Sequence, residues 1–272
     1  MRHETVTSDR GTVHYWSTEK QPSSHALVFT HGLTADHTMF AWQVEAFAPL
    51  HQVIVWDVPL HGASRPYHPF NYANCAKELL AILDAEGITQ AVLVGMSMGG
   101  YPSQMFAHQY PSRVAGLVAI DTTPFGLDYY SKGDVWWLQR VGLMAGWFPE
   151  TLLKWSMAKS VSRSKAAYAC MRRMLAPIGK ADLIRQMELA YGGFLRENAD
   201  LHLSCPVLLI LGDRDSTGKV SAYNLAWLQH TGYPLVKIPN AAHFSNADQP
   251  DAVNAAIKAF VQEISVPKPS AL

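Results

Sequence analysis

Six short runs of almost unbroken apolar residues, separated by stretches of helical texture, constrain this chain more than any other feature. They are residues 26–30 (ALVFT), 52–58 (QVIVWDV), 91–95 (AVLVG), 114–120 (VAGLVAI), 206–211 (PVLLIL) and 235–238 (LVKI). Strands without polar alternation have both faces covered, as in a parallel sheet flanked by helices. Between them, residues 71–87 place Cys75, Leu79, Leu80 and Leu83 at helical spacing, with Gly87 as a stop. A last helix from Pro250 carries Val253, Ile257, Phe260 and Ile264 on one stripe. The tail from Ile264, with Pro267 and Pro269, reads as a frayed end. Ahead of the first run, residues 5–8 and 12–17 read as a hairpin turned at Asp9-Arg10-Gly11. The expectation is an α/β chain with a doubly wound, mostly parallel sheet of eight strands.

Residues 125–200 break the alternation. They hold no clear strand and are too long for an ordinary connection. Residues 151–159, 164–175 and 181–194 have helical texture, and Trp136, Trp137, Trp147, Phe148 and Trp155 make the segment aromatic. The segment reads as a helical cap inserted between residues 1–124 and 201–272, which form the core. Trp136, Trp137, Leu138, Val141, Leu143, Met144, Trp147 and Phe148 are candidates to line an apolar pocket. An amphipathic cap also needs such residues simply to pack onto the core. The segment carries 11 basic and 7 acidic residues, a balance of +4 that leaves −4 elsewhere. A basic cap attracts anions, but such charges more often form a solvated helix face; Arg172 and Arg173 are the first pair to test.

Composition narrows the function classes. At 49% apolar and 16% charged, the chain buries a core rather than staying disordered. Its 22 basic and 22 acidic residues leave no global footprint for nucleic acid. No apolar run is long enough to span a membrane, and MRHETVTSDRG has no apolar stretch of the secretory kind. Cys75, Cys170 and Cys205 are odd in number and far apart, which fits neither a disulfide framework nor a metal cluster. A reducing, cytoplasmic setting is expected. No metal or cofactor is implied, the expected partner is a small-molecule substrate, and the oligomeric state stays open.

Gly95-Met96-Ser97-Met98-Gly99 matches G-x-S-x-G. The pattern is short and frequent, but here it follows a strand and precedes a helix, the context that makes it specific. Ser97 must stand on a tight strand-to-helix turn where flanking side chains would clash, so Gly95 and Gly99 leave room. The next helix directs its free N–H groups at the site, which makes the Met98 N–H one candidate donor to an oxyanion. His31-Gly32-Leu33 follows the first apolar run, and the Leu33 N–H is the second candidate. His31 itself reads as a histidine that holds this loop.

A serine needs a base, and the base needs a group to orient it. His243, one of twelve histidines, stands out by its place in a small-residue loop between the last strand and the last helix. Asp215, at the end of LLILGDRD, is the first choice for the acid, with Asp121, at the end of VAGLVAI, as the rival. Both emerge at the carboxyl edge of the sheet, where open α/β sheets place their sites. Asp213 reads as a turn stabiliser through backbone bonding. Asp57, with His61 and Gly62, reads as a loop-ordering residue.

Together, HGL at 31–33, DVPLHGAS at 57–64, GMSMGG at 95–100, GDRD at 212–215 and NAAHF at 240–244 resemble the α/β-hydrolase superfamily. The likeness is to cap-bearing enzymes of the esterase, haloperoxidase-like and C–C hydrolase kind. It implies a Ser97–His243–Asp215 triad, an oxyanion hole from Leu33 and Met98, and cleavage of an ester-like bond in a small apolar substrate. Alternatives are C–C bond hydrolysis, lactone hydrolysis and cofactor-free perhydrolysis; a ligand sensor on the same scaffold would lack a triad member. Serine at 97 argues against haloalkane dehalogenases and epoxide hydrolases, which use aspartate there. Leu60 stands where glycine is common, and Tyr101 where relatives acting in menaquinone synthesis tend to carry arginine.

Overall fold

Alternate residues of a strand face opposite sides, and in this chain each side of the sheet meets its own helices. The computed structural model describes residues 1–21 and 25–266, so Pro267 and Pro269 of the expected tail lie outside the described residues. The strands are β1 (Arg2–Ser8), β2 (Gly11–Ser17), β3 (Ala26–Thr30), β4 (Val53–Trp56), β5 (Ala91–Met96), β6 (Val114–Ile120), β7 (Val207–Gly212) and β8 (Leu235–Ile238). They form one eight-stranded sheet in the order β1-β2-β4-β3-β5-β6-β7-β8. β1 pairs antiparallel with β2, and β2 with β4; every other pair is parallel.

Helices α1 (Ala41–Phe47), α2 (Tyr72–Ala85) and α3 (Gly100–Gln109) belong to the first half of the chain. Between β6 and β7 run α4 (Lys132–Leu138), α5 (Val141–Ala145), α6 (Glu150–Val161), α7 (Lys165–Leu175) and α8 (Lys180–Glu197), with no strand among the described residues. The remainder are α9 (Val220–Thr231), α10 (Ser245–Asp248) and α11 (Pro250–Ser265). Leu27 and Phe29 pack with Phe47 of α1 and Val253, Ile257 and Phe260 of α11. Val28 packs instead with Leu79, Ile82 and Leu83 of α2, Phe106 of α3 and Trp227 of α9. Two cores on two faces explain why the strands read as continuous apolar runs.

Buried and half-buried hydrogen bonds tie the helical segment to the rest. The Glu197 carboxylate accepts the Tyr72 and Ala73 N–H groups at 2.7 and 3.0 Å, an acid placed at the start of α2 where the helix dipole favours it. The Phe244 N–H donates to the Val161 carbonyl at 2.7 Å. Buried Asp248 accepts the N–H groups of Arg163, Ser164 and Ala242 at 2.7–3.0 Å, which joins the α6–α7 connection to the loop before α10. Asp248→Ala leaves these donors without their acceptor. It is expected to lower unfolding free energy by about 3 kcal/mol in urea titration, whereas a loss under about 1 kcal/mol would mean water replaces the carboxylate.

Leu60 adopts φ +72°, the left-handed region that explains glycine's frequency there. The strain, about 1–2 kcal/mol, is offset locally. The Leu60 N–H donates to Ser64 O at 3.0 Å, and the Leu60 carbonyl accepts from Gln186 Nε2 at 2.8 Å.

Candidate active site

The order of the parallel strands reverses between β3 and β5: β4 lies on one side of β3 and β5 on the other. Such a switch point opens a crevice at the carboxyl edge because the two following loops diverge. Thr30 pairs with Gly95, so the loop carrying Gly32 and Leu33 leaves the sheet beside the one carrying Ser97 and Met98. Ser97 adopts φ +50°, and a short 3-10 turn, Ser97–Gly99, leads into α3. The glycines are required by space. A Cβ at Gly99 would stand 2.0 Å from the Thr30 carbonyl oxygen, and one at Gly95 2.5 Å from that of Gly99. A Cβ at Gly32 would stand 3.3 Å from Ser97 Cβ, which places the HGL loop directly against the serine.

Three of the expected residues meet in a chain of hydrogen bonds. Asp215 Oδ2 lies 2.8 Å from His243 Nδ1, and His243 Nε2 lies 2.8 Å from Ser97 Oγ. A carboxylate only accepts, so Nδ1 carries the proton and Nε2 is left to accept from the serine hydroxyl. The Asp215 side chain is fully buried, and its second oxygen accepts the Thr217 N–H at 2.8 Å. Burial alone would lower the His243 pKa; the charge and hydrogen bond of Asp215 outweigh it and raise the imidazole above its ordinary 6.5. Burial would raise Asp215, and the facing imidazole overrides it and holds the carboxyl below its ordinary value. A hydroxyl bonded to an imidazole oriented in this way can pass its proton as the oxygen attacks an electrophile.

Asp121, the rival for the acid, is occupied elsewhere. Its Oδ1 accepts the Gly212 N–H at 2.7 Å and its Oδ2 accepts from the N–H and hydroxyl of Ser245. It thus links the end of β7 to the residue two after His243 without touching the imidazole. Burial pushes its carboxyl up to about 7, with His243 opposing and Asp215 adding to the rise. His31 is fully buried; Nδ1–H donates to Gly32 O at 2.8 Å and Nε2 accepts the Val58 N–H at 3.0 Å. The bond accepted at Nε2 needs the neutral ring, and burial depresses its pKa accordingly. Asp57 orders its loop as expected, accepting from His37 N and Nδ1 at 2.7 and 2.8 Å and from Ala63 N at 2.6 Å. The expectation for Asp213 is corrected: its exposed carboxylate lies 3.8 Å from Arg214 Nε and has no backbone bond among the described residues. The turn is held instead by Asp215 and by backbone bonds such as Arg214 N–H to Ala241 O at 2.9 Å.

Ser97, His243, Leu33 and Met98 all face one cavity of about 590 Å³ beneath the helical segment. Of the eight residues expected to line a pocket, Trp137, Leu138 and Val141 do so; Trp136, Leu143, Met144, Trp147 and Phe148 do not. Nor do the tryptophans pack onto the core: Trp136, Trp137 and Trp155 are about half exposed and Trp147 is 77% exposed. Arg172 and Arg173 are exposed and outside the lining, and no lysine or arginine of residues 125–200 lines the cavity. The sequence reading missed Thr217, Ser245 and Asp248. Each acts through a partner fixed only by folding, and no spacing signal marks them.

A sequence-family profile described as alpha/beta hydrolase fold matches residues 25–250. The chain is 25% identical to 3-oxoadipate enol-lactonase 2 of Acinetobacter baylyi, over 96% of this chain and 97% of that one. It is 26% identical to a pimeloyl-[acyl-carrier protein] methyl ester esterase of Pectobacterium carotovorum, over 91% and 98%. A thermophilic esterase from Thermogutta terrifontis superposes with a TM-score of 0.79 at 23% identity, covering 98% of this chain and all of that one. These are similar proteins; their substrates are their own.

Proposed function

The chain belongs to the alpha/beta hydrolase fold family and is a hydrolase, and we propose that it cleaves carboxylic esters through an acyl-serine. The observation that carries this reading is the unbroken chain Asp215–His243–Ser97, with both links 2.8 Å long. Ser97 Oγ attacks the ester carbonyl while His243 Nε2 takes its proton. The N–H groups of Leu33 and Met98 hold the oxyanion; each such donor contributes on the order of 3 kcal/mol to a transition state. His243 returns the proton to the departing alcohol, and then activates a water that releases the acid and restores Ser97. A lactone is the cyclic case of the same steps. Residues 1–124 and 201–272 serve as the catalytic core, and 125–200 as the cap that shapes the substrate cavity.

Mixing enzyme with excess p-nitrophenyl ester on the millisecond scale tests this. The expected result is a burst of nitrophenol equal to the enzyme present and an acyl adduct by mass. Turnover that leaves neither a burst nor an adduct, even when quenched in acid, would point to direct attack by water.

The pH dependence follows from His243, which must be neutral to accept a proton. Its pKa lies above 6.5, so kcat/KM is expected to fall on the acid side with a midpoint above 6.5. A midpoint below 6.5 would mean that Asp215 does not outweigh the burial of the imidazole.

A further inference from the structure

The wall of the cavity is rich in methionine. Six of the ten methionines line it: Met39, Met96, Met98, Met157, Met171 and Met187. They come from the loop after β3, the serine turn, and α6, α7 and α8. Unbranched thioethers adapt to a flexible chain at little cost in strain. Most hydroxyls nearby are already committed. Tyr101 and Tyr130 both bond Thr123 Oγ1 at 2.8 Å, Tyr72 donates to Ala190 O at 3.0 Å, and Ser160 donates to Met157 O at 3.0 Å. Neither the Tyr191 nor the Thr217 hydroxyl has a hydrogen-bond partner among the described residues; both are neutral and cannot balance a charge. Lys219 is the cation in the lining, and its ammonium sits 2.7 Å from Asp134, itself a lining residue.

We infer that the methionine wall selects an uncharged, flexible aliphatic acyl chain longer than acetyl and rejects a chain that ends in a carboxylate. This rests on the acyl-transfer reading above and adds its substrate class. A buried methylene gains about fourfold in binding. A terminal carboxylate entering this wall would lose its water, meet no unpaired cation and approach Asp134.

The test compares p-nitrophenyl acetate, butyrate and hexanoate with the mono-p-nitrophenyl ester of adipic acid, which is hexanoate with a carboxylate at its end. kcat/KM is expected to rise about threefold to fourfold per methylene from acetate to hexanoate, and to drop at least about 100-fold for the acid-ended chain. Replacing the adaptable side chains by rigid rings, in Met171→Phe and Met187→Phe, is expected to lower the hexanoate-to-acetate ratio at least about tenfold. Equal rates for hexanoate and the acid-ended ester, or a preference for acetate, overturn the inference and leave ester cleavage standing. A hexanoate-to-acetate ratio unchanged in both variants removes the methionines from it. Calorimetric titration of Ser97→Ala with methyl hexanoate and monomethyl adipate reads the wall without chemistry. Should no ester be cleaved, selective binding of methyl hexanoate there keeps the wall's selectivity and sinks acyl transfer alone, while equal binding sinks both.

Discussion

Ser97→Ala is expected to lower kcat for an activated ester by about 10⁶-fold while the protein stays folded. The size of the loss comes from the mechanism. With no hydroxyl at position 97, no acyl-enzyme can form, and the bond to His243 Nε2 at 2.8 Å disappears with it. What remains is a cavity with oxyanion donors, which accelerates direct hydrolysis only modestly. The substitution removes one oxygen at a half-buried position, so stability changes little, and substrate should still bind. A stopped-flow assay of wild type and variant at saturating ester, with a melting curve for each, checks both halves. A loss under about 100-fold in protein free of wild-type contamination would show that Ser97 is not the attacking group.

Asp215→Asn is expected to lower kcat by about 10⁴-fold, and Asp121→Asn by no more than about tenfold. The amide at 215 can still meet His243 Nδ1, but by donating to it. That turns the imidazole to the tautomer with its proton on Nε2, where it can no longer accept from Ser97. A neutral amide also brings no charge to steady the imidazolium. At 121 the carboxylate faces Gly212 N–H and Ser245 rather than the imidazole, and an asparagine oxygen can still accept from that backbone. Asp121 nonetheless adds negative charge near His243, so its neutral variant should move the acid limb of the pH profile down. Should the two variants exchange ranks, with only Asp121→Asn losing orders of magnitude, the acid has been assigned to the wrong strand end.

The parts legible in the sequence are those whose chemistry is local. A tight turn at Ser97 needs Gly95 and Gly99, because backbone oxygens lie 2.0–2.5 Å from where their Cβ atoms would be. Strands buried on both faces must be apolar throughout, and β3 and β6 fall on the residues read from that rule alone. His243 and Asp215 are recognisable because they end or follow such strands. What escapes is set by contacts between distant residues. Helix α9 goes unread because it buries only Asn224 and Trp227, which leaves no apolar stripe. Trp136, Trp147 and Trp155 are as apolar in sequence as core residues, yet they are exposed and lie outside the cavity lining, and composition does not encode direction. The methionines of the cavity are scattered through five parts of the chain, and each alone reads as ordinary core.

The central claim is that three groups distant along the chain make one serine hydroxyl nucleophilic, and covalent labelling tests it most directly. Folded protein treated with a fluorophosphonate probe at neutral pH, then digested and mapped by mass, is expected to carry one adduct on Ser97. His243→Ala should label at least about 100-fold more slowly. Native protein that stays unlabelled under conditions that saturate a known serine esterase, or that carries its adduct at another residue, would contradict the account.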